Sequence, residues 1–366
     1  MSINCIYCQI VIRDENKSIE HVIPQALGGV LTIKNVCKKC NNSFGSDLDK
    51  HLVDLMQETA IVLNVNRYRG KNPNIQYEDK NSGDLFILSP NKGINAASKI
   101  SRISEDKYKI YYKDNEDLEK SLEELGKRGN KNLQPDNDSS GVYANPNIVF
   151  RFSTGDRVQL RAIAKIAFEF YLALGGDFQF VKHLIPYIQG YAAAFLVFPD
   201  YKNYPSKEEL WDEEITHSIE IIGGPQTKQL VCKISLFETW NYIVFLSDSF
   251  YGHNTYFKHV QNVKGKILEN SIKEDKEGSA GFISRQDYHE ITDYDLFVIQ
   301  SYNTRLQKLF LFETLRPYFD KELDQNYLGY PKGTLLTKTV AKAIVLKSIK
   351  ENRLEITDYD DSRFQR

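Results

Sequence analysis

The sequence predicts a mixed α+β protein, a small N-terminal unit followed by a larger companion region, and three observations carry that reading. Four of the five cysteines, Cys5, Cys8, Cys37 and Cys40, fall in the first forty residues as two C-x-x-C pairs. Helical and strand-like periodicities alternate along the rest of the chain, with no internal repeat. Hydrophobic residues are 41% and aromatic residues 12% of the 366, which supplies core material for more than one domain and excludes a disordered chain.

In chain order, residues 1–56 form the first region and end in a helical pattern over Asn41–Met56. Phe44, Leu48, Leu52 and Leu55 share one face of it. Residues 57–140 form an intermediate mixed region, with short strands at Ala60–Val65, Asp84–Leu88 and Tyr108–Tyr112 and a charged helix near Asp117–Lys127. This region closes in the polar, turn-rich runs Arg128–Asn132 and Pro135–Ser140, the best linker signal in the chain.

Residues 141–366 form the third region, an α+β domain for recognition, regulation or assembly. Its clearest element is a helix bounded by Asp156 as N-cap and by Gly175 as stop, with Leu160, Ile163, Ala164, Ala167, Phe170 and Leu174 at helical spacing. A second helix is expected over Phe178–Ile188. Strands follow at Ala192–Phe198, Thr216–Ile222, Gln229–Phe237 and Tyr242–Leu246, with the run Ile221-Ile222-Gly223-Gly224-Pro225 marking a turn between two of them. Gly278–Gly281 reads as a loop, and the apolar stretches Leu306–Leu315 and Val340–Leu346 fit helix and strand equally.

The charge balance is nearly neutral at −2, so a wholesale basic nucleic-acid binder is excluded and any such contact falls to local patches. Two patches stand out, Arg67-Tyr68-Arg69-Gly70-Lys71 and the set Lys99, Arg102, Lys107 and Lys109; a solvated strand face accounts for each more simply. Arg157, Arg161 and Lys165 lie four apart on the long helix, where a solvated face is again the simpler reading. No apolar run approaches the roughly 20 residues that span a bilayer, so no membrane association is expected. Cysteines occupy the place of a leader's apolar stretch, and the chain reads as cytoplasmic.

In that compartment two tight cysteine pairs indicate a metal site. Four thiolates favour zinc in a closed tetrahedral shell, which is structural because no position is left for substrate. Cys232, in the apolar context Leu230-Val231-Cys232, reads as a buried small hydrophobe. The separation of Cys8 from Cys37 exceeds the ~15–20 residues of a plain zinc ribbon, so a segment is inserted between the knuckles.

The insertion contains Glu20-His21-Val22-Ile23-Pro24 and Gly28-Gly29; Asn35 precedes the second knuckle and Asn41-Asn42 follows it. Singly these residues read as a strand pair, a turn and helix caps. Together, the order C-x-x-C, Glu-His-x-x-Pro, Gly-Gly, Asn-x-C-x-x-C-Asn resembles the HNH nuclease family over about the first fifty residues. The resemblance implies a ββα-metal fold, two short strands and a helix around a catalytic divalent ion.

It also implies roles. His21 matches the general base that deprotonates water, a task suited to a group titrating near neutral pH. Glu20 matches the acidic ion ligand and Asn41 the last ligand, with Asn42 as the alternative one residue on. Asn35 matches the asparagine that braces the loop holding the base. Many family members carry Asp or His where this chain has Glu20, and His where it has Asn41. Both residues here keep oxygen donors, which suit Mg2+ or Mn2+. Lys38 and Lys39, inside the second knuckle, either grip a phosphate or offset thiolate charge. Asp47 and His51, at i and i+4, read first as a helix-surface pair.

The implied activity is endonucleolytic cleavage, with nucleic acid, and DNA in the first place, as partner. The layout resembles bacterial restriction and phage-defence nucleases. A homodimer would let one site per chain cut both strands, and an activating partner or ligand for the third region would make the enzyme latent. The competing reading is a non-catalytic zinc-knuckle docking or nucleic-acid-binding protein.

Overall fold

The computed structural model describes residues 3–67, 72–78, 85–90, 93–97, 99–102, 104, 108–111, 115–127, 156–194, 196–201, 215–273 and 282–288. Tyr68–Lys71, Lys107, the linker runs at 128–140, the loop at 278–281 and the stretches 306–315 and 340–346 lie outside them. The chain forms two compact units, one joining Met1–Asn72 to Phe150–Gln307, the other Pro73–Val149 to Lys308–Arg366.

In chain order, the elements begin with β1 (Glu20–His21), β2 (Thr32–Ile33), α1 (Lys38–Phe44) and α2 (Lys50–Val62). Next come β3 (Ile75–Glu78), β4 (Leu85–Ser89), β5 (Gly93–Ala96), β6 (Lys99–Arg102), β7 (Tyr108–Tyr111) and α3 (Asn115–Lys127). The remainder holds α4 (Arg157–Ala173), α5 (Ile185–Ile188), β8 (Val197–Pro199), β9 (Thr216–Gly224), β10 (Gln229–Leu236), β11 (Trp240–Ser247), β12 (Thr255–Asn262) and β13 (Ile267–Lys273).

Among its described residues the second unit holds two small antiparallel sheets, β3-β4-β5 and β6-β7, together with α3. Leu88 and Leu125 are buried there. Lys99, Arg102 and Lys109 fall on the β6-β7 pair.

In the first unit, β1 and β2 pair antiparallel, Glu20 opposite Ile33 and His21 opposite Thr32, and α1 follows at once. That is the ββα order. The intervening loop depends on Gly28-Gly29. Gly28 sits at φ 96, and a Cβ on Gly29 would lie 1.9 Å from the carbonyl oxygen of Ile23. The helix expected from Asn41 begins earlier, at Lys38, because Cys37 serves as its N-cap. It runs through a π-helical turn at Gly45–Asp49 and on to Val62, so Ala60–Val65 is not a strand. Leu52, Met56, Ala60 and Ile61 are fully buried, and the apolar run read as a strand is the inner face of this last stretch of helix.

Among the described residues, the unit also holds a six-stranded antiparallel sheet, ordered β13-β12-β9-β10-β11-β8, with α4 across one face. Asp156 caps α4 by accepting from the Val158 and Gln159 amides. His217, Ile219 and Ile221 of β9 register with Gln261, His259 and Phe257 of β12. The opposite face carries Phe198, Val231, Ile243 and Phe245, covered in part by Ile283 and Tyr288. β12 and β13 escaped the sequence pattern, and the expected helix at Phe178–Ile188 is broken into two 3-10 turns and the short α5. Strand β8 is shorter than Ala192–Phe198. Cys232 is fully buried, as its context indicated. Among the described residues no helix is long and apolar enough to cross a membrane.

Candidate active site

The four cysteine sulfurs of the N-terminal module lie within 4.8 Å of one another. A tetrahedral zinc with sulfurs at ~2.3 Å has edges near ~3.8 Å, and Cys8 Sγ and Cys37 Sγ are 3.6 Å apart. The Cys37 amide donates to Cys5 Sγ at 3.4 Å, tying the two knuckles together at the pocket. The donor set and its compactness fit zinc, and none of the five cysteines is in a disulfide.

The first knuckle is tied to the larger region by Tyr7. Its ring packs edge-on to Phe44 at 4.5 Å and against Phe168 of α4 at 5.3 Å. Its buried hydroxyl donates to Glu169 Oε1 at 2.8 Å. The Ile6 amide donates to the Asn35 carbonyl, so Asn35 joins the two knuckles through its backbone. The side-chain Oδ1 of Asn35 is buried and has no hydrogen-bond partner among the described residues.

Beside the zinc pocket, Asn41 Nδ2 donates to the carbonyl of Ile19 at 3.0 Å. This bond sets α1 against the start of β1, at the residue before Glu20. The amide oxygen of Asn41 is the end left over from that bond. Asn42 is exposed, as are Lys38 and Lys39 on the first turn of α1.

Glu20 is almost wholly buried. Burial pushes its carboxyl up, and the ammonium of Lys165 pulls it back. His21 is half-buried, and its imidazole is held below the ordinary histidine value by that burial and by Lys165, against the opposing pull of Asp49. The ring is therefore neutral near pH 7, the form that accepts a proton.

Lys165 and Asp49 are the site residues that sequence reasoning missed. Lys165 does not lie on a solvated face: it is fully buried, with Nζ bonded to Glu20 Oε1 and 3.1 Å from Asp49 Oδ1. Glu169 Oε2 stands 3.4 Å from the same nitrogen. Burial works against this ammonium, but the carboxylates of Glu169, Asp49 and Glu20 outweigh it and hold it protonated. Removing one partner from such a buried set costs on the order of 3–5 kcal/mol. Asp49 owes its place to the π-helical turn, a feature frequent at functional sites because it re-aims one side chain.

The neighbouring candidates fall elsewhere. His51 Nε2 is 2.9 Å from Asp156 at the start of α4, and Asp47 accepts from Ser46, so these two do not form the helix-surface pair read from the sequence. Arg161 donates twice to the Ile188 carbonyl, so it is held against α5 and not on the solvated face read from the sequence.

A ββα unit with a four-cysteine clamp and a Glu-His pair against the helix identifies the module. Residues 5–56 match the HNH endonuclease family. No curated protein and no solved structure matches the chain. The HNH module does not stand apart from the rest of its unit: β9 and β12 hold its Gly28-Gly29 loop through His217 and Gln261, and Gln261 Nε2 donates to the Gly28 carbonyl at 2.6 Å. Lys264 covers the end of α2 at the carbonyls of Leu63 and Asn64.

Proposed function

We propose that this protein is a metal-dependent endonuclease that hydrolyses DNA phosphodiester bonds, with His21 as general base. The reading rests on one observation above all, the HNH match over residues 5–56, and it is supported by the Asn41 bond to the Ile19 carbonyl next to Glu20-His21. His21, neutral at working pH, takes a proton from water at an imidazole nitrogen while the water oxygen attacks phosphorus and the P–O3′ bond breaks. Glu20 and Asn41 would hold Mg2+ or Mn2+, hard ions suited to oxygen donors. When bound, such an ion neutralises charge on the phosphate and on the leaving oxygen.

Asn35 braces the segment between the knuckles, and Lys38 and Lys39 face solvent where a phosphate backbone can approach. The four cysteines hold structural zinc and take no part in the chemistry. On layout alone, a nuclease module built into a large companion region, we place it with bacterial restriction and phage-defence nucleases, acting as a homodimer on duplex substrate.

The test is cleavage of supercoiled plasmid with Mg2+ or Mn2+, beside His21→Ala and a chelator control. Nicking or linearisation by the wild type alone supports the assignment. An inert wild type that retains zinc favours the docking module or a latent enzyme, and undiminished activity in His21→Ala shows the base assignment to be wrong.

A further inference from the structure

Lys165 lies 145 positions from Glu20, on a helix outside the residues that match the HNH family. Its ammonium has three donors, and three carboxylates from three elements surround it: Glu20 from β1, Asp49 from the π-helical turn and Glu169 from α4 itself. Lys165 is fully buried, and the Glu20 side chain is only 4% exposed. Solvent therefore does not set the orientation of Glu20; the ammonium does.

Packing alone would not call for a charge here. Well-packed apolar side chains commonly replace buried ionic groups with no loss of stability, and apart from Gln159 and Glu169 the other buried positions of α4 are apolar or aromatic, among them Ala162, Ile163, Ile166 and Phe170. A cation at this position makes sense where it has a carboxylate to orient.

We infer that Lys165 is a positioning residue of the candidate nuclease site: its ammonium fixes the Glu20 carboxylate through one oxygen, leaves the other available to a divalent ion, and ties Asp49 into the same cluster. The inference rests on the nuclease reading of Glu20 as an ion ligand. Its consequence is that the HNH module is incomplete by itself, because the group that orients its acidic ligand arrives from the companion region. Side-chain bonds that orient metal ligands typically change ion affinity ~10- to 100-fold when removed.

The experiment measures Mn2+ binding by electron paramagnetic resonance on the zinc-loaded full chain, together with plasmid cleavage. It compares wild type with Glu20→Gln, Lys165→Met, Lys165→Met/Glu169→Gln and Lys165→Arg. The double variant removes one surplus buried carboxylate and so favours folding. Binding at Glu20 is expected to be lost in Glu20→Gln and weakened tenfold or more in the Met variants that retain zinc and melt cooperatively. Lys165→Arg, whose planar fork places its donors differently, is expected to fall between, about fivefold weaker than wild type.

Met variants that stay folded and bind Mn2+ within twofold of wild type overturn the positioning role. If neither Met variant folds, Lys165→Arg decides: wild-type affinity there overturns it. Undiminished binding in Glu20→Gln also overturns it, since the ion then sits elsewhere. A wild type that neither binds Mn2+ nor cleaves plasmid overturns the nuclease reading, and this inference with it. Wild-type cleavage with unchanged Lys165 variants sinks the inference alone.

Discussion

The imidazole of His217, on the central sheet, donates from Nε2 to the carbonyl of Leu27 in the HNH module at 2.7 Å. Its Nδ1 accepts from the Phe237 amide at 3.1 Å, so one neutral ring clamps the module's loop to the sheet. This ring is fully buried. Desolvation, with His259 nearby as a further unfavourable charge, pushes its pKa down to about 4.

The clamp predicts acid sensitivity with a definite sign. An unfolded histidine titrates near ~6.5, so the folded state binds this proton less readily than the unfolded state. The contribution of His217 is fully present above pH ~6.5 and is lost as the pH falls from there through about 4. A depression of ~2.5 units corresponds to about 3 kcal/mol. Urea unfolding at pH 7 and pH 4.5 should show a smaller acid loss in His217→Gln than in wild type; equal losses would refute the assignment.

Zinc removal should destabilise the first unit and expose Tyr7. A structural four-thiolate site supplies folding free energy directly, and here Tyr7 sits between two of its ligands while bonded to Glu169. Cys37→Ser should take the metal content from one zinc per chain to none and cost ~5 kcal/mol or more. Metal analysis with thermal melting, before and after a zinc chelator, checks this.

The two asparagines after the second knuckle should differ. Asn41 is anchored on the Ile19 carbonyl beside Glu20, whereas Asn42 is exposed. Asn41→Ala is expected to lower cleavage roughly tenfold or more and to raise the divalent-ion requirement. Asn42→Ala should leave both nearly unchanged. Metal titrations of plasmid cleavage separate the two, and the reverse order would move the ligand to Asn42.

Glycines supply a paired stability test. Gly29→Ala places a Cβ 1.9 Å from the Ile23 carbonyl oxygen, a backbone clash that no rotamer relieves. A loss of ~3 kcal/mol or more is expected, at the upper end for a single substitution. Gly45, at φ −60 in the helical run, has nothing within 4 Å of an added Cβ. Gly45→Ala should stabilise by about 0.5–1 kcal/mol through the unfolded chain's lost freedom. Denaturant midpoints read both.

The sequence by itself determined what short spacing can encode. The two C-x-x-C pairs, the Glu20-His21 step, Asn35 and Asn41 all lie in one local module, where residue type and spacing sufficed to read the family and the four-cysteine cluster. The cap at Asp156 and the alternating strand β9 were legible for the same reason, since each depends on near neighbours. Lys165 was not. Three basic residues four apart specify a helix stripe but not what that stripe faces, and only the docking of α4 against β1 and the π-helical turn decides that one of them is buried among carboxylates. Asp49 was hidden likewise, because nothing in the local sequence announced the π-helical turn that carries it. His217 reads as an ordinary strand residue and Gln261 lies on a strand that escaped the sequence pattern; neither announces the loop at Leu27–Val30 that the sheet meets. Local chemistry follows from residue type and spacing; the environment that buries, charges and orients it belongs to contacts between distant segments, which only the tertiary structure decides.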